Sequence, residues 1–117
     1  GPATLRRLQE VMGATSYPEV FAVANLRRYL NKAVPAASQK QLTGKDRLPE
    51  DRGWDAQLFR VFQYWAWCWV RPVSSSWSTF APDWSFGEFI DGEAGPATWA
   101  ALQEALNRSK TGSFRLM

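Results

Sequence analysis

Apolar positions recur along this chain at helical rather than strand spacing, and they mark four helices. Val23, Leu26 and Leu30 follow i, i+3, i+7 between Pro18 and Pro35, as one buried helical face requires. Trp54, Leu58, Val61, Phe62, Trp65 and Trp69 extend the same template over a longer helix, while Phe59, Trp67 and Val70 lie on another of its sides. A helix apolar on two sides is a central one, covered by more than one neighbour. Trp65, Trp67 and Trp69 also alternate as a strand would. The six-member helical pattern is longer, however, and it leaves Gln57, Arg60 and Gln63 to fill the remaining surface.

The first and last predicted helices are near-copies of one another. Gly1-Pro2-Ala3-Thr4-Leu5-Arg6-Arg7-Leu8-Gln9-Glu10 aligns with Gly95-Pro96-Ala97-Thr98-Trp99-Ala100-Ala101-Leu102-Gln103-Glu104, with seven of ten positions identical. Leu5, Leu8 and Met12 fall on Trp99, Leu102 and Leu106, the same stripe in both copies. Proline opens each, at the helical position where a missing N–H costs nothing. The closing helix is expected from about Pro96 to Asn107.

Two stretches between the helices lack this periodicity. Residues 35–52 are polar and punctuated by Pro and Gly, the pattern of a loop. Residues 71–90 contain Pro72, Ser74-Ser75-Ser76, Pro82 and Gly87, yet carry Trp77, Phe80, Trp84, Phe86 and Phe89. A flexible linker would not hold that aromatic load. The stretch either covers the central helix or contacts a ligand. The expected organisation is therefore an N-terminal helix within residues 1–18, a main module over 19–108 and a frayed tail over 109–117.

Composition fits one small globular domain: 117 residues, 45% hydrophobic and 21% charged. The seven tryptophans are the outlier; either they build a core of few large side chains or some face a ligand. The net charge of +3 is scattered, and the basic pairs Arg6-Arg7 and Arg27-Arg28 sit inside helical patterns. That distribution suits a solvated surface, with neither nucleic acid nor membrane as partner. Cys68 is the single cysteine, so no intrachain disulfide forms, and in its aromatic setting it reads as a small hydrophobe. No stretch approaches the roughly 18 apolar residues of a membrane span.

The chain has no histidine, which removes Ser-His-Asp and Cys-His constellations and histidine-containing zinc sites. Glu50, Asp51, Asp55, Glu88, Asp91 and Glu93 could in principle supply a glycosidase pair. They lie in turn-like stretches where carboxylates serve as caps or solvated surface. The chain is read as non-enzymatic, with no cofactor and no metal site.

One segment is specific. In Asp91-Gly92-x-x-Gly95-Pro96-x-Thr98-x-x-x-Leu102-Gln103, Asp-Gly suits a tight turn, Gly-Pro sets a helix start, and Thr98 in the first turn can satisfy free amides. This segment resembles the type 1 peptidoglycan-binding domain. The likeness covers about residues 19–108, with Leu26-Arg27-Arg28-Tyr29-Leu30-Asn31 in place of the family's Leu-Gln-x-x-Leu-Asn and 53–69 as its second helix. The chain departs from the family by the extra lengths at 35–52 and 71–90, and its N-terminal helix resembles the closing helix of a preceding repeat.

The resemblance implies an all-α, three-helix peptidoglycan-binding-like bundle with an extra N-terminal helix and a long aromatic-rich loop. It also implies a monomeric module that targets a covalently linked murein hydrolase, a phage endolysin or secreted lysin, to the bacterial cell wall. The place of action would be extracellular, or reached from the cytoplasm at phage lysis. The alternative is a protein-interaction domain of the same fold that does not bind murein. Glycan strands stack their apolar sugar faces on indoles and need hydrogen-bond partners for their hydroxyls, while stem peptides add carboxylates. Candidate ligand-binding residues are accordingly Trp54, Trp77 and Trp84 as platforms and Arg71, Asp83 and Glu88 as polar partners; Trp65, Trp69 and Trp99 are expected in the core. Asp91, Gly92, Gly95, Pro96, Thr98 and Leu102 are expected to build the fold.

Overall fold

A computed structural model describes residues 2–11, 23–70 and 89–108. These residues form five helices and no strand: α1 (Pro2–Val11), α2 (Val23–Ala33), α3 (Ala36–Thr43), α4 (Ala56–Val70) and α5 (Pro96–Arg108). The expected aromatic stretch and the expected tail lie largely outside the described residues.

Helix α4 is the centre of the packing, touching α2, α3 and α5, with α1 laid against α5. Every residue from Val61 to Cys68 is buried, which is why its sequence is apolar on more than one side. The core joins Leu8 of α1, Leu26 and Leu30 of α2, Val34, Leu48, Leu58, Val61, Phe62 and Trp65 of α4, and Ala101, Leu102, Ala105 and Leu106 of α5. Inside it, Phe62 stacks on Trp65 at 6.1 Å between ring centroids, and Tyr29 meets Trp65 edge-on, geometries that aromatic quadrupoles favour. The core roles expected for Leu26, Leu30, Trp65 and Leu102 are observed.

Helix α3 corrects the loop expected over residues 35–52. The residues that read as loop punctuation are its boundaries: Pro35 sits at the N-cap, and Gly44 closes it at φ 79° with its N–H bonded to the Lys40 carbonyl. Glycine adopts that left-handed conformation without the Cβ penalty. Only Gln39 of α3 is fully buried, so the helix carries no apolar stripe that periodicity could reveal. Its fully buried side chain makes polar contacts, Gln39 Nε2 donating to the Val34 carbonyl at 3.1 Å and to Asn31 Oδ1 at 3.3 Å, and Leu42 alone packs partly buried against the core.

From Gly44 to Asp55 the chain has no regular structure, and α2 holds it in place. Asn31 brackets Leu48, donating from Nδ2 to its carbonyl at 2.9 Å and accepting its N–H at Oδ1 at 2.7 Å. Arg27 lies fully buried, which overturns the solvated position expected of it, whereas its neighbour Arg28 is exposed as expected. Its guanidinium donates to the carbonyls of Arg52 (2.9 Å), Pro49 (3.0 Å) and Gly53, and pairs with the Asp55 carboxylate at 3.1 Å. Asp55 Oδ1 in turn accepts the Leu58 N–H at 2.8 Å, the side-chain cap that starts α4.

Candidate functional site

The Asp91–Thr98 segment is built around a side chain that sequence reasoning placed on the surface. Gln63 of α4 is fully buried. Its Nε2 lies 2.9 Å from Asp91 Oδ1, 2.9 Å from the Glu93 carbonyl and 3.0 Å from Thr98 Oγ1, while its Oε1 accepts the Gly92 N–H at 3.0 Å. Two amide hydrogens are thus shared among three acceptors, and the carbonyl oxygen takes the turn's inward N–H. Gly92 adopts φ 80°, the positive value expected of it, and Asp91 Oδ1 accepts the Glu93 N–H at 2.8 Å, the local turn expected of Asp-Gly.

Thr98 departs from expectation. Its hydroxyl faces the Glu93 carbonyl at 3.4 Å and Gln63, so it ties the turn to α4 instead of satisfying free amides at the start of α5. The start of α5 is left to Gly95, whose carbonyl accepts the Trp99 N–H at 3.3 Å, and to Pro96, which lacks the amide hydrogen. Gly92 also lies close against α4. A Cβ added there would stand 3.0 Å from Arg60 Nε and 3.4 Å from the Ala56 carbonyl.

This docking brings α5 beside the start of α4 and assembles an aromatic patch. Trp54, just before α4, is the one large hydrophobic side chain exposed among the described residues, at 41%. Its indole stacks on Phe59 at 5.3 Å with the planes 15° apart, and meets Trp99 of α5 edge-on at 6.4 Å. Phe59 and Trp99 are half-buried, so Trp99 is a core-edge residue as much as a core one. The indole is therefore backed by other rings and presented to solvent by an anchored loop whose carbonyls at Arg52 and Gly53 are held by Arg27.

Of the candidate ligand-binding residues, the structure describes Trp54 alone, which is partly exposed. Arg71, Trp77, Asp83, Trp84 and Glu88 lie outside the described residues. Trp65 and Trp67 are core, the latter tilted against Phe89 at 5.8 Å. Gln63 and Arg27 are the residues that sequence reasoning misplaced. Each carried a signal: Gln63 interrupts the otherwise apolar run 61–68, and Arg27 lies four residues after Val23 and three before Leu30, on the buried face.

A second surface feature is formed by α2, the start of α3 and the anchored loop. Arg28, Asn31, Lys32, Ala36, Asp46, Arg47 and Glu50 line an open cleft of about 430 Å³. Among the described residues no group of three or more His, Cys, Asp or Glu could hold a metal ion, and no helix is long and apolar enough to cross a membrane. Burial pushes the Tyr29 phenol above its ordinary pKa, with hydrogen bonding by Trp65 working in the opposite direction. Comparison of the chain with protein-family models, with curated proteins and with solved structures gave no match.

Proposed function

We propose that the chain is a non-catalytic peptidoglycan-binding module that holds a linked murein hydrolase on the bacterial cell wall, with Trp54 as a sugar-stacking platform. The observation that carries this reading is the exposed Trp54 indole, stacked on Phe59 and flanked by Trp99. An indole already backed by other rings loses little conformational freedom when a sugar ring lies on it. Tethering by such a module turns later encounters of the hydrolase with its substrate into effectively intramolecular ones.

The resemblance to the type 1 peptidoglycan-binding domain supports the same reading. Asp91, Gly92, Gly95, Pro96 and Thr98 form one turn-and-helix unit around Gln63, and Asn31, which falls on the last position of the family's Leu-Gln-x-x-Leu-Asn pattern, fastens the loop that carries Trp54. The three-helix bundle of that family would then correspond to α2, α4 and α5, with α1 and α3 as additions.

Co-sedimentation of the chain with purified sacculi tests the proposal. Binding that persists as salt is raised from about 0.05 to 0.5 M is expected, because stacking is not screened whereas attraction of a basic protein is. Absence of binding at physiological salt, or loss of all binding with added salt, would count against it.

A further inference from the structure

We propose that the cleft between the C-terminal turn of α2 and residues 46–50 is a second binding site, which takes the carboxylate end of a short peptide. Its walls are fixed before any ligand arrives: Asn31 brackets Leu48 through both backbone groups, and the buried Arg27 holds the Pro49 carbonyl. A site held by its own scaffold does not have to be ordered on binding. The cleft's volume of about 430 Å³ falls within the range of small-ligand pockets.

Charge selects the ligand. Arg28, Lys32 and Arg47 line the cleft together with Asp46 and Glu50, three cations beside two carboxylates. Glu50 stands 3.7 Å from both Arg28 Nε and Arg47 Nη2. That is within ion-pair reach but too long for a hydrogen bond, so neither arginine has spent its directed N–H groups on Glu50. Both guanidiniums are more than half exposed. Arg28 donates from Nη1 to Asn25 Oδ1 at 2.7 Å, which leaves its Nε–Nη2 edge, like the fork of Arg47, for an incoming carboxylate, the group that such edges match. One added monoanion brings the cleft to neutrality. A phosphate dianion would leave it negative, beside Asp46 and Glu50. Those two carboxylates can instead accept N–H groups of a peptide, and Ala36, which also lines the cleft, takes up little of its space. The site is independent of the Trp54 platform, none of whose rings line the cleft.

An NMR titration of the whole chain with trialanine, with its C-terminally amidated form and with inorganic phosphate tests the proposal, read at the backbone amides of residues 46–50. Trialanine should saturate these shifts with a Kd of about 1 mM or tighter. Amidation should weaken binding at least about tenfold, as should Arg47→Gln and, independently, Arg28→Gln. Trp54→Ala should leave the peptide Kd unchanged. The proposal is overturned by no saturation below about 10 mM, by equal binding of the amidated peptide, by tighter binding of phosphate, or by unchanged affinity in both arginine variants. Sacculus sedimentation is read separately, so failure of the platform and failure of the cleft are distinguishable.

Discussion

Two irregular stretches of backbone each lead into a helix of this bundle, and where each meets that helix it is fastened by a buried polar side chain from an earlier helix, but with different chemistry. The stretch before α4 is held at Leu48 by Asn31, and from Pro49 to Asp55 it turns the carbonyls of Pro49, Arg52 and Gly53 inward. Arg27 suits it because a guanidinium is all donor, with several N–H groups in a fixed fork. The turn before α5 is short and presents both kinds of group, the Gly92 N–H together with Asp91, Glu93 and Thr98 oxygens. Gln63 suits that, since a primary amide donates and accepts at once. The mix of backbone groups facing inward selects the anchor, and a charge is buried where only acceptors need a partner.

Substitutions at the two anchors should separate them. Arg27→Met leaves three inward carbonyls and the Asp55 carboxylate without their partner, and a loss of about 3 kcal/mol or more is expected in urea denaturation. Arg27→Lys should recover only part of it, because an ammonium is a point charge without the fork. Gln63→Leu buries unpaired groups but no charge, and a loss of about 2 kcal/mol is expected from the same measurement. Equal losses at Arg27 and Gln63 would break the comparison.

Asp55 sharpens it. Asp55→Ala removes both the α4 cap and the counter-ion of Arg27, for a loss of about 1 to 2 kcal/mol. Asp55→Asn keeps a capping oxygen and removes only the charge, so roughly half that loss is expected, in line with the near-equal capping of Asn and Asp. Tyr29 gives the smallest effect. Its folded pKa is raised above the ordinary 10.0, so the unfolded chain ionises first. Its contribution to stability is full below pH 10.0 and is lost as pH rises through the folded value. Tyr29→Phe should flatten the alkaline side of a stability–pH curve, read by denaturation at successive pH values.

Helices that bury apolar stripes were legible in the sequence, and those that bury anything else were not. The stripes of α2, α4 and α5 repeat every turn, whereas α3 buries Gln39 and has no stripe to find. The anchors were hidden for a related reason. Gln63 finds its partners 28 to 35 positions along the chain, and Arg27 finds its carbonyls 22 to 26 positions along, so neither burial follows from local pattern. The near-repeat shows the same limit. Leu8 and Leu102 are both fully buried, yet Gln9 is buried and Gln103 exposed, because α1 and α5 do not share the same neighbours. The aromatic character of the candidate site was legible at Trp54; its exposure depended on how α5 docks beside α4.

Trp54 is the centre of the proposed function. A binding isotherm on purified sacculi, comparing the wild-type chain with Trp54→Ala at physiological salt, tests it most directly. The half-exposed ring makes a small contribution to the core, so a stability change below about 1 kcal/mol is expected, measured alongside by urea denaturation. With folding intact, Trp54→Ala should weaken sacculus binding at least about tenfold, the loss of one stacking contact worth about 1.4 kcal/mol. Unchanged affinity in a folded Trp54→Ala chain would contradict the account.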